Sequence, residues 1–252
     1  MITAFLDRLG LPKSCELDRT IFKRMFLENA SLNVTDKKAL KEDIEKIKWT
    51  HALKPSTINI APYIDQTCEY FEIVILSVAI IKPQRVNRIA TFIHKAIPYP
   101  TVLVFGHTDQ VAVGVADKRI NLANKSKLVV ANSWLTPWFD PQSADGPSQA
   151  FVADFNCSNL PFSTFHAFYG ALRDRIIALV VADRTGRYKL ATSNVTETRI
   201  ENLNQIDKLS LEVGKLKTKL RKTKQMAQQI TLNTEIKKLK DAILKLESEM
   251  QV

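Results

Sequence analysis

Two runs of apolar residues in the C-terminal part of the chain are spaced alternately three and four positions apart. The runs comprise Ile206, Leu209, Val213, Leu216 and Leu220, and then Ile236, Leu239, Ile243, Leu246 and Met250. This spacing places an apolar seam along one face of a helix, and such a seam must be covered by a partner helix. The chain is therefore predicted to end in a coiled coil and to work by binding another molecule.

The two runs are separated by a polar stretch, residues 222–229, where the seam changes register. A turn here would fold the two helices into an antiparallel hairpin, although no glycine or proline marks it. One continuous helix that pairs with a second copy of the chain is the rival prediction. Because the two seams have similar lengths, we predict a basic coiled-coil hairpin over residues 197–252, begun by a capping box of Thr198 and Glu201.

The chain carries a formal net charge of +10, which favours polyanionic partners such as nucleic acid. Basic residues are concentrated before and within the expected turn, where Glu212 is the one acid between residues 208 and 224. Side chains so placed can track a phosphate backbone, whereas a solvated coiled-coil face is the alternative interpretation. The residues predicted to bind nucleic acid are Lys215, Lys217, Lys219, Arg221, Lys222 and Lys224.

The edges of the seam are predicted to contact a protein partner. The residues predicted to do so are Leu209, Val213, Leu216, Leu220, Ile236, Leu239, Ile243 and Leu246. A homodimer held by the same seam is a further candidate assembly, because a seam that is not covered within its own chain can pair with a second copy.

Residues 1–192 are predicted to form an α+β or α/β domain, with a mixed sheet and packed helices. Residues 1–54 are expected to be helical, with Thr35 as an N-cap and with Leu40, Ile44 and Ile47 on one helix face. Strands are predicted at residues 57–60, 69–78, 101–105, 110–116 and 127–131, helices at 84–97 and 164–183, and a loop at 140–148.

No strong catalytic motif or metal-ligand spacing occurs, and neither a cofactor nor a membrane segment is expected. The three cysteines are far apart, so a reducing cytoplasm is the expected compartment. One enzyme hypothesis stays open, a divergent metal-dependent nuclease acting on DNA. It would use Asp65, Glu69 and Glu72 beside a buried strand to hold Mg²⁺. Val74 stands where such nucleases normally have a lysine.

Five short segments resemble the bacterial domain-of-unknown-function 4391 family, and the resemblance runs over nearly the whole chain. The segments are Leu-Pro-Lys at 11–13, Ser-Thr-Ile-Asn-Ile at 56–60, Lys-Ala-Ile-Pro-Tyr-Pro at 95–100, Leu-Asn at 232–233 and Glu-Ile-Lys-Lys-Leu-Lys at 235–240. Those at 95–100 and in the tail are the most specific, and neither is a catalytic signature.

Members of that family tend to be encoded beside helicase and DNA methyltransferase genes, in restriction-like or anti-phage islands. The resemblance implies a non-enzymatic accessory or adaptor subunit of a bacterial defence or restriction system. It implies a helicase or methyltransferase subunit as the partner, with DNA as a second candidate. It supplies no active site and no cofactor. A purely structural self-assembly module is the remaining alternative.

Overall fold

A computed structural model of the chain describes residues 1–121, 128–142 and 146–250. The chain divides into two compact units, Met1–Val180 and Val181–Val252. The described helices are α1 (Ile2–Arg8), α2 (Lys23–Asn29), α3 (Val34–Glu42), α4 (Pro55–Ile58), α5 (Val86–Ala96), α6 (Gly146–Asp154), α7 (Phe165–Thr185), α8 (Ser193–Lys222) and α9 (Met226–Glu249). The described strands are β1 (Glu16–Ile21), β2 (Ile44–Leu53), β3 (Tyr63–Ile64), β4 (Glu69–Tyr70), β5 (Ile73–Ile80), β6 (Thr101–His107), β7 (Gln110–Ile120) and β8 (Leu128–Leu135).

A six-stranded mixed sheet in the order β1-β2-β5-β6-β7-β8 forms the centre of the first unit. β5 and β6 are parallel, and α5 makes the crossover between them; the other neighbours are antiparallel. Parallel neighbours require such a crossover, and the helix then covers one face of the sheet. The architecture is α+β, as predicted.

Strand β5 is apolar on both faces because both are covered. Val74, Leu76 and Val78, on one face of β5, belong to a buried cluster. The helices α2, α3 and α5 contribute to the same cluster with Phe26 on α2, Leu40 on α3, and Ile89 and Ile93 on α5. The alternate residues Ile73 and Ile75 are equally buried and point to the opposite face. A continuous Ile and Val run is typical of a central strand in this position.

The predicted helix at 84–97 and the predicted hairpin at 101–116 are confirmed. Val86, Ile89 and Ile93 of α5 are buried, as their spacing indicates. β6 and β7 pair up to His107 and Gln110 and are joined at a turn that contains Thr108, whose φ is 51°. The predicted helix at 164–183 is α7, and Gly186, with a φ of 76°, follows its end.

The prediction that residues 1–54 are helical is wrong, because β1 and β2 lie within them. Ile44 and Ile47 begin β2 and do not continue the helix of Leu40, since α3 ends at Glu42. A β-bulge between Ile44 and Lys46 shifts the register of β2. The bulge brings Ile44 and Ile47, three positions apart, into the same buried cluster. In a bulged strand, buried residues can therefore lie three positions apart, which is a spacing typical of a helix.

Several predicted boundaries also move. Asn33, and not Thr35, caps α3, and it forms a capping box with Asp36. Residues 57–60 contain the end of the short helix α4 and no strand. The predicted strand at 69–78 divides into β4 and β5.

The strand expected at 127–131 is β8, which extends to Leu135, and residue 127 lies outside the described residues. α6 begins at Gly146 inside the expected loop 140–148, of which residues 143–145 are outside the described part.

The second unit contains the predicted helical hairpin. α8 and α9 pack together and are joined by residues 223–225. The backbone is extended at both ends of this connection, with ψ of 125° at Thr223 and 120° at Gln225. The turn needs no positive φ and hence no glycine. Gln229 Nε2 donates to the Thr223 carbonyl at 2.7 Å.

The hairpin begins earlier than predicted. α8 starts at Ser193, with Thr192 as the N-cap residue. Thr198 therefore lies inside the helix, and its hydroxyl donates to the Asn194 carbonyl at 3.1 Å. Thr198 consequently does not act as the cap of a capping box with Glu201.

Two buried polar side chains hold the connection from α5 to β6 and the end of the β6–β7 ladder. Lys118 Nζ donates to the carbonyls of Ile97 and Tyr99, inside the segment at residues 95–100. Tyr169 Oη accepts from the Ala116 amide at 3.1 Å and lies 3.0 Å from the Thr101 carbonyl. Thr101 lies just before Val102 and Ala116 just after Val115, and Val102 and Val115 are the terminal pair of the β6–β7 ladder, so the hydroxyl completes the ladder there.

Changing Tyr169 to Phe should destabilise the protein by about 1–3 kcal/mol, because the buried Ala116 amide would lose its acceptor. Urea unfolding monitored by circular dichroism measures this loss. The control is Tyr63→Phe, whose hydroxyl bonds the exposed Asp65 and whose loss should leave stability unchanged. An equal effect of the two substitutions would show that the Tyr169 hydroxyl does not support the ladder.

His94 should make the protein less stable in acid. The side chain is fully buried, and neither ring nitrogen has a hydrogen-bond partner in the described part of the chain. Burial, and then nearby Lys118, lowers the pKa of His94 to about 3. Because the unfolded chain binds this proton near pH 6.5, folding stability is lost as the pH falls below that value, by roughly 1.4 kcal/mol per unit.

The predicted difference is measured between pH 6.5 and 4.5. Over this interval the wild type should lose about 2–3 kcal/mol more unfolding free energy than His94→Phe, which cannot take up the proton. His166→Phe, at an exposed position, should follow the wild type. Parallel pH profiles of the wild type and His94→Phe would contradict the prediction.

Candidate nucleic-acid interface

The end of the hairpin around its turn carries positive charge without any acidic residue. We define the basic tip as residues 213–234, which contain six basic residues and no aspartate or glutamate. All six basic side chains are exposed, and none forms an ion pair with another described residue. These are the six residues predicted from the sequence: Lys215, Lys217, Lys219, Arg221, Lys222 and Lys224. The structure therefore brings them together on one end of the hairpin.

The other end of the hairpin is electrostatically different. Arg184 lies 3.6 Å from Asp207 and 3.3 Å from Glu247, so charges of opposite sign face each other there. Acidic residues recur in this part of α8 and α9, whereas they stop at Glu212 and resume at Glu235. The field of the hairpin is thus most positive at the basic tip.

Favourable interaction with the helix dipole accounts for part of this charge. Lys219, Arg221 and Lys222 lie in the last turn of α8, where cations stabilise the unpaired carbonyls. Lys215 and Lys217 lie further back and gain little from the helix end. Interaction with the helix dipole therefore accounts for Lys219, Arg221 and Lys222 and does not account for the other three basic residues.

The predicted partner-binding seam is largely used inside the hairpin. Val213 and Ile236 are buried, and the other six of the eight predicted residues are half-buried. This pattern is expected where two helices cover each other's seam and leave its edges partly in contact with water.

Two apolar residues of the tip, which were not predicted to contact a partner, are far more exposed than the residues of the seam. Met226 is 76% exposed and Ile230 is 61% exposed, and they lie one turn apart on α9. Residues four apart share a helix face. Together they form an apolar surface beside the basic residues. Their signal in the sequence is that they are apolar but lie outside the heptad pattern. A prediction based on heptad spacing does not include such residues.

The carboxylates of Asp65 and Glu72, two of the three residues of the nuclease hypothesis, have other partners. Asp65 Oδ1 accepts from the Thr67 hydroxyl at 2.7 Å and from the amides of Thr67 and Cys68. These hydrogen bonds lower the pKa of Asp65 well below its usual value. The Glu72 carboxylate lies 3.5 Å from Lys54 Nζ. Glu69 stands opposite Ile64 in the β3–β4 ladder, which is a pairing of the backbone. Among the described residues, no group of three His, Cys, Asp or Glu side chains is placed to hold a metal ion.

A cleft of about 360 Å³ lies beside β1 and β2. The sequence-based predictions did not include it, because they did not include β1 as a strand. Its charged and titratable lining consists of Asp7, Glu16, Asp18, Lys46, Lys48 and His51. Lys48 Nζ donates to Asp18 at 2.6 Å, and Glu16 is the cross-strand partner of His51. Burial lowers the pKa of His51, and Glu16 opposes this effect. The cleft therefore combines charges of both signs, of which Lys48 and Asp18 form an ion pair.

No helix in the described part of the chain is long and apolar enough to cross a membrane. No curated protein and no solved structure matches the chain. A family model described as a domain of unknown function matches residues 9–243 of the 252 residues. This match spans the sheet and most of the hairpin. The chain therefore belongs to the domain-of-unknown-function 4391 family.

Proposed function

We propose that this protein is a non-enzymatic binding subunit that contacts nucleic acid through the basic tip of its hairpin. The observation that carries the proposal is the set of six exposed basic side chains, none paired with an acid among the described residues, in a segment without a single acid. Such a segment attracts a phosphate backbone, because neutralising phosphates releases the cations condensed on them.

We further propose that the protein serves as an accessory subunit of a DNA-directed defence or restriction system, beside a helicase or methyltransferase subunit. The family's genomic neighbours suggest this setting, which is an argument from association. The tip offers a protein partner the apolar pair Met226 and Ile230, next to the residues proposed to bind nucleic acid. One hairpin end could then contact both.

The basic tip should give nucleic-acid binding a steep dependence on salt. If all six residues contact phosphates, log K should fall with log[salt] with a slope of about −5 for duplex DNA. Substituting Lys217, Lys219, Arg221 and Lys222 with Gln should flatten this slope by roughly 3–4. Fluorescence anisotropy with a labelled duplex, titrated at salt concentrations from about 50 to about 200 mM, measures both slopes.

A matched control removes the same charge from α9 outside the tip. Lys237, Lys238, Lys240 and Lys245 are exposed, and acidic residues are interspersed among them. Changing these four to Gln alters the net charge of the protein equally and should change the slope much less. Equal slopes for the two variants would mean that only the overall charge matters, and that the tip is not the binding surface.

Replacing Met226 and Ile230 together with Ser should abolish recovery of a helicase or methyltransferase subunit in a tagged pull-down from the native host. Both side chains are already exposed, so the fold should keep its thermal midpoint. The comparison variant is Leu244→Ser, at a residue of α9 that is 62% exposed outside the tip. Recovery of the same subunit by all variants would exclude the apolar pair as its docking surface.

A further inference from the structure

The basic residues of α8 form two rows on the helix surface. At about 100° per residue, Lys215, Lys219 and Lys222 fall within ~60° of one another, and we name them the first row. Lys217 and Arg221 form the second row, ~40° apart. Lys224 lies beyond the helix, in the connection to α9. The two rows run along the helix on either side of the face that points away from the seam.

Between the two rows the side chains are small and project little from the helix backbone. Gly214 and Thr218 lie there, about 120° and about 160° from the centre of the seam, and we name them the low strip. Both residues are exposed. The Thr218 hydroxyl donates to the Gly214 carbonyl at 3.0 Å, so it is folded back onto the helix. The helix backbone is therefore accessible along this strip to an approaching molecule.

Packing within the described part of the chain does not require glycine at position 214. A Cβ built there would meet nothing within 4 Å. Glycine is unfavourable inside a helix because it gains conformational freedom on unfolding. Its presence in the low strip, between two basic rows, indicates close approach of an external ligand.

We propose that the outer face of α8 lies in the major groove of duplex DNA. The first row would contact one phosphate backbone and the second row the other, while the low strip faces the base edges. A helix about 10–12 Å across matches a groove about 12 Å wide. This inference rests on the proposed function, since it requires that the basic tip bind nucleic acid, and it names duplex DNA as the ligand.

The arrangement favours duplex DNA over other polyanions. A single strand or an acidic peptide needs one row of positive charge, whereas two rows on opposite sides of a helix match two backbones. The major groove of duplex RNA is too narrow and deep for side chains to read. Leu211, which is 64% exposed and lies three positions before Gly214, adds an apolar side chain of the kind that can contact a thymine methyl group.

The test is to add bulk to the strip without changing charge. Gly214→Gln places a side chain in open space, so the free protein should fold with an equal or higher thermal midpoint. Its affinity for a labelled DNA duplex at fixed salt should fall at least tenfold, with the salt slope unchanged because the lysines remain. Ala242→Gln, at an exposed position of α9, is the control and should bind like the wild type.

The possible outcomes separate this inference from the proposed function. Salt-dependent binding that Gly214→Gln leaves intact would overturn the groove contact while the proposed function stands. Absence of salt-dependent binding by the wild type would overturn both. Tighter binding of single-stranded DNA, duplex RNA or heparin than of duplex DNA at the same salt would also overturn the groove contact.

A second measurement does not depend on any variant. Methylation of guanine N7 blocks an acceptor in the major groove, and methylation of adenine N3 blocks one in the minor groove. In a methylation-interference experiment with the full chain, N7 methylation should weaken binding and N3 methylation should not. Interference at adenine N3 alone would place the protein in the minor groove and overturn the inference.

Discussion

The parallel pairing of β5 with β6 organises the first unit of this protein. Parallel neighbours cannot be joined by a tight turn, so α5 must cross one face of the sheet between them. The helix buries Val74, Leu76 and Val78 of β5, and this burial provides the apolar surface on which α2 and α3 also pack. The antiparallel strands on both sides then extend the sheet from this centre.

Polar anchors secure the point where the crossover returns to the sheet. Lys118 holds the carbonyls of Ile97 and Tyr99, and Tyr169 closes the adjacent end of the β6–β7 ladder. The segment at residues 95–100, which carries much of the family resemblance, therefore has a structural role. Its prolines prevent α5 from continuing, and its carbonyls need donors because they lie outside a helix.

The hairpin combines an internal seam with an exposed outer surface, and only part of the charge on that surface is explained by the end of α8. α8 and α9 cover each other's apolar residues, so the hairpin needs no second copy of the chain to bury Val213 and Ile236. The basic rows, the low strip and the apolar pair Met226 and Ile230 remain exposed. Net positive charge in a segment without acidic residues costs stability through repulsion, which a polyanionic ligand would remove.

The sequence by itself determined the two C-terminal helices, the basic tip and the elements from β5 to β7, because each depends on local periodicity or composition. Heptads, alternation and the lack of acids can be read within a short window. The tertiary structure alone decided β1, the bulge of β2 and the folding of α8 back onto α9 in place of one continuous helix. β1 is a polar strand that exists because its backbone pairs with β2, and the bulge at Ile44 exists because β5 sets the register. Contacts between residues distant in the chain leave no local signal, and such contacts also decide which face of α8 is free to bind.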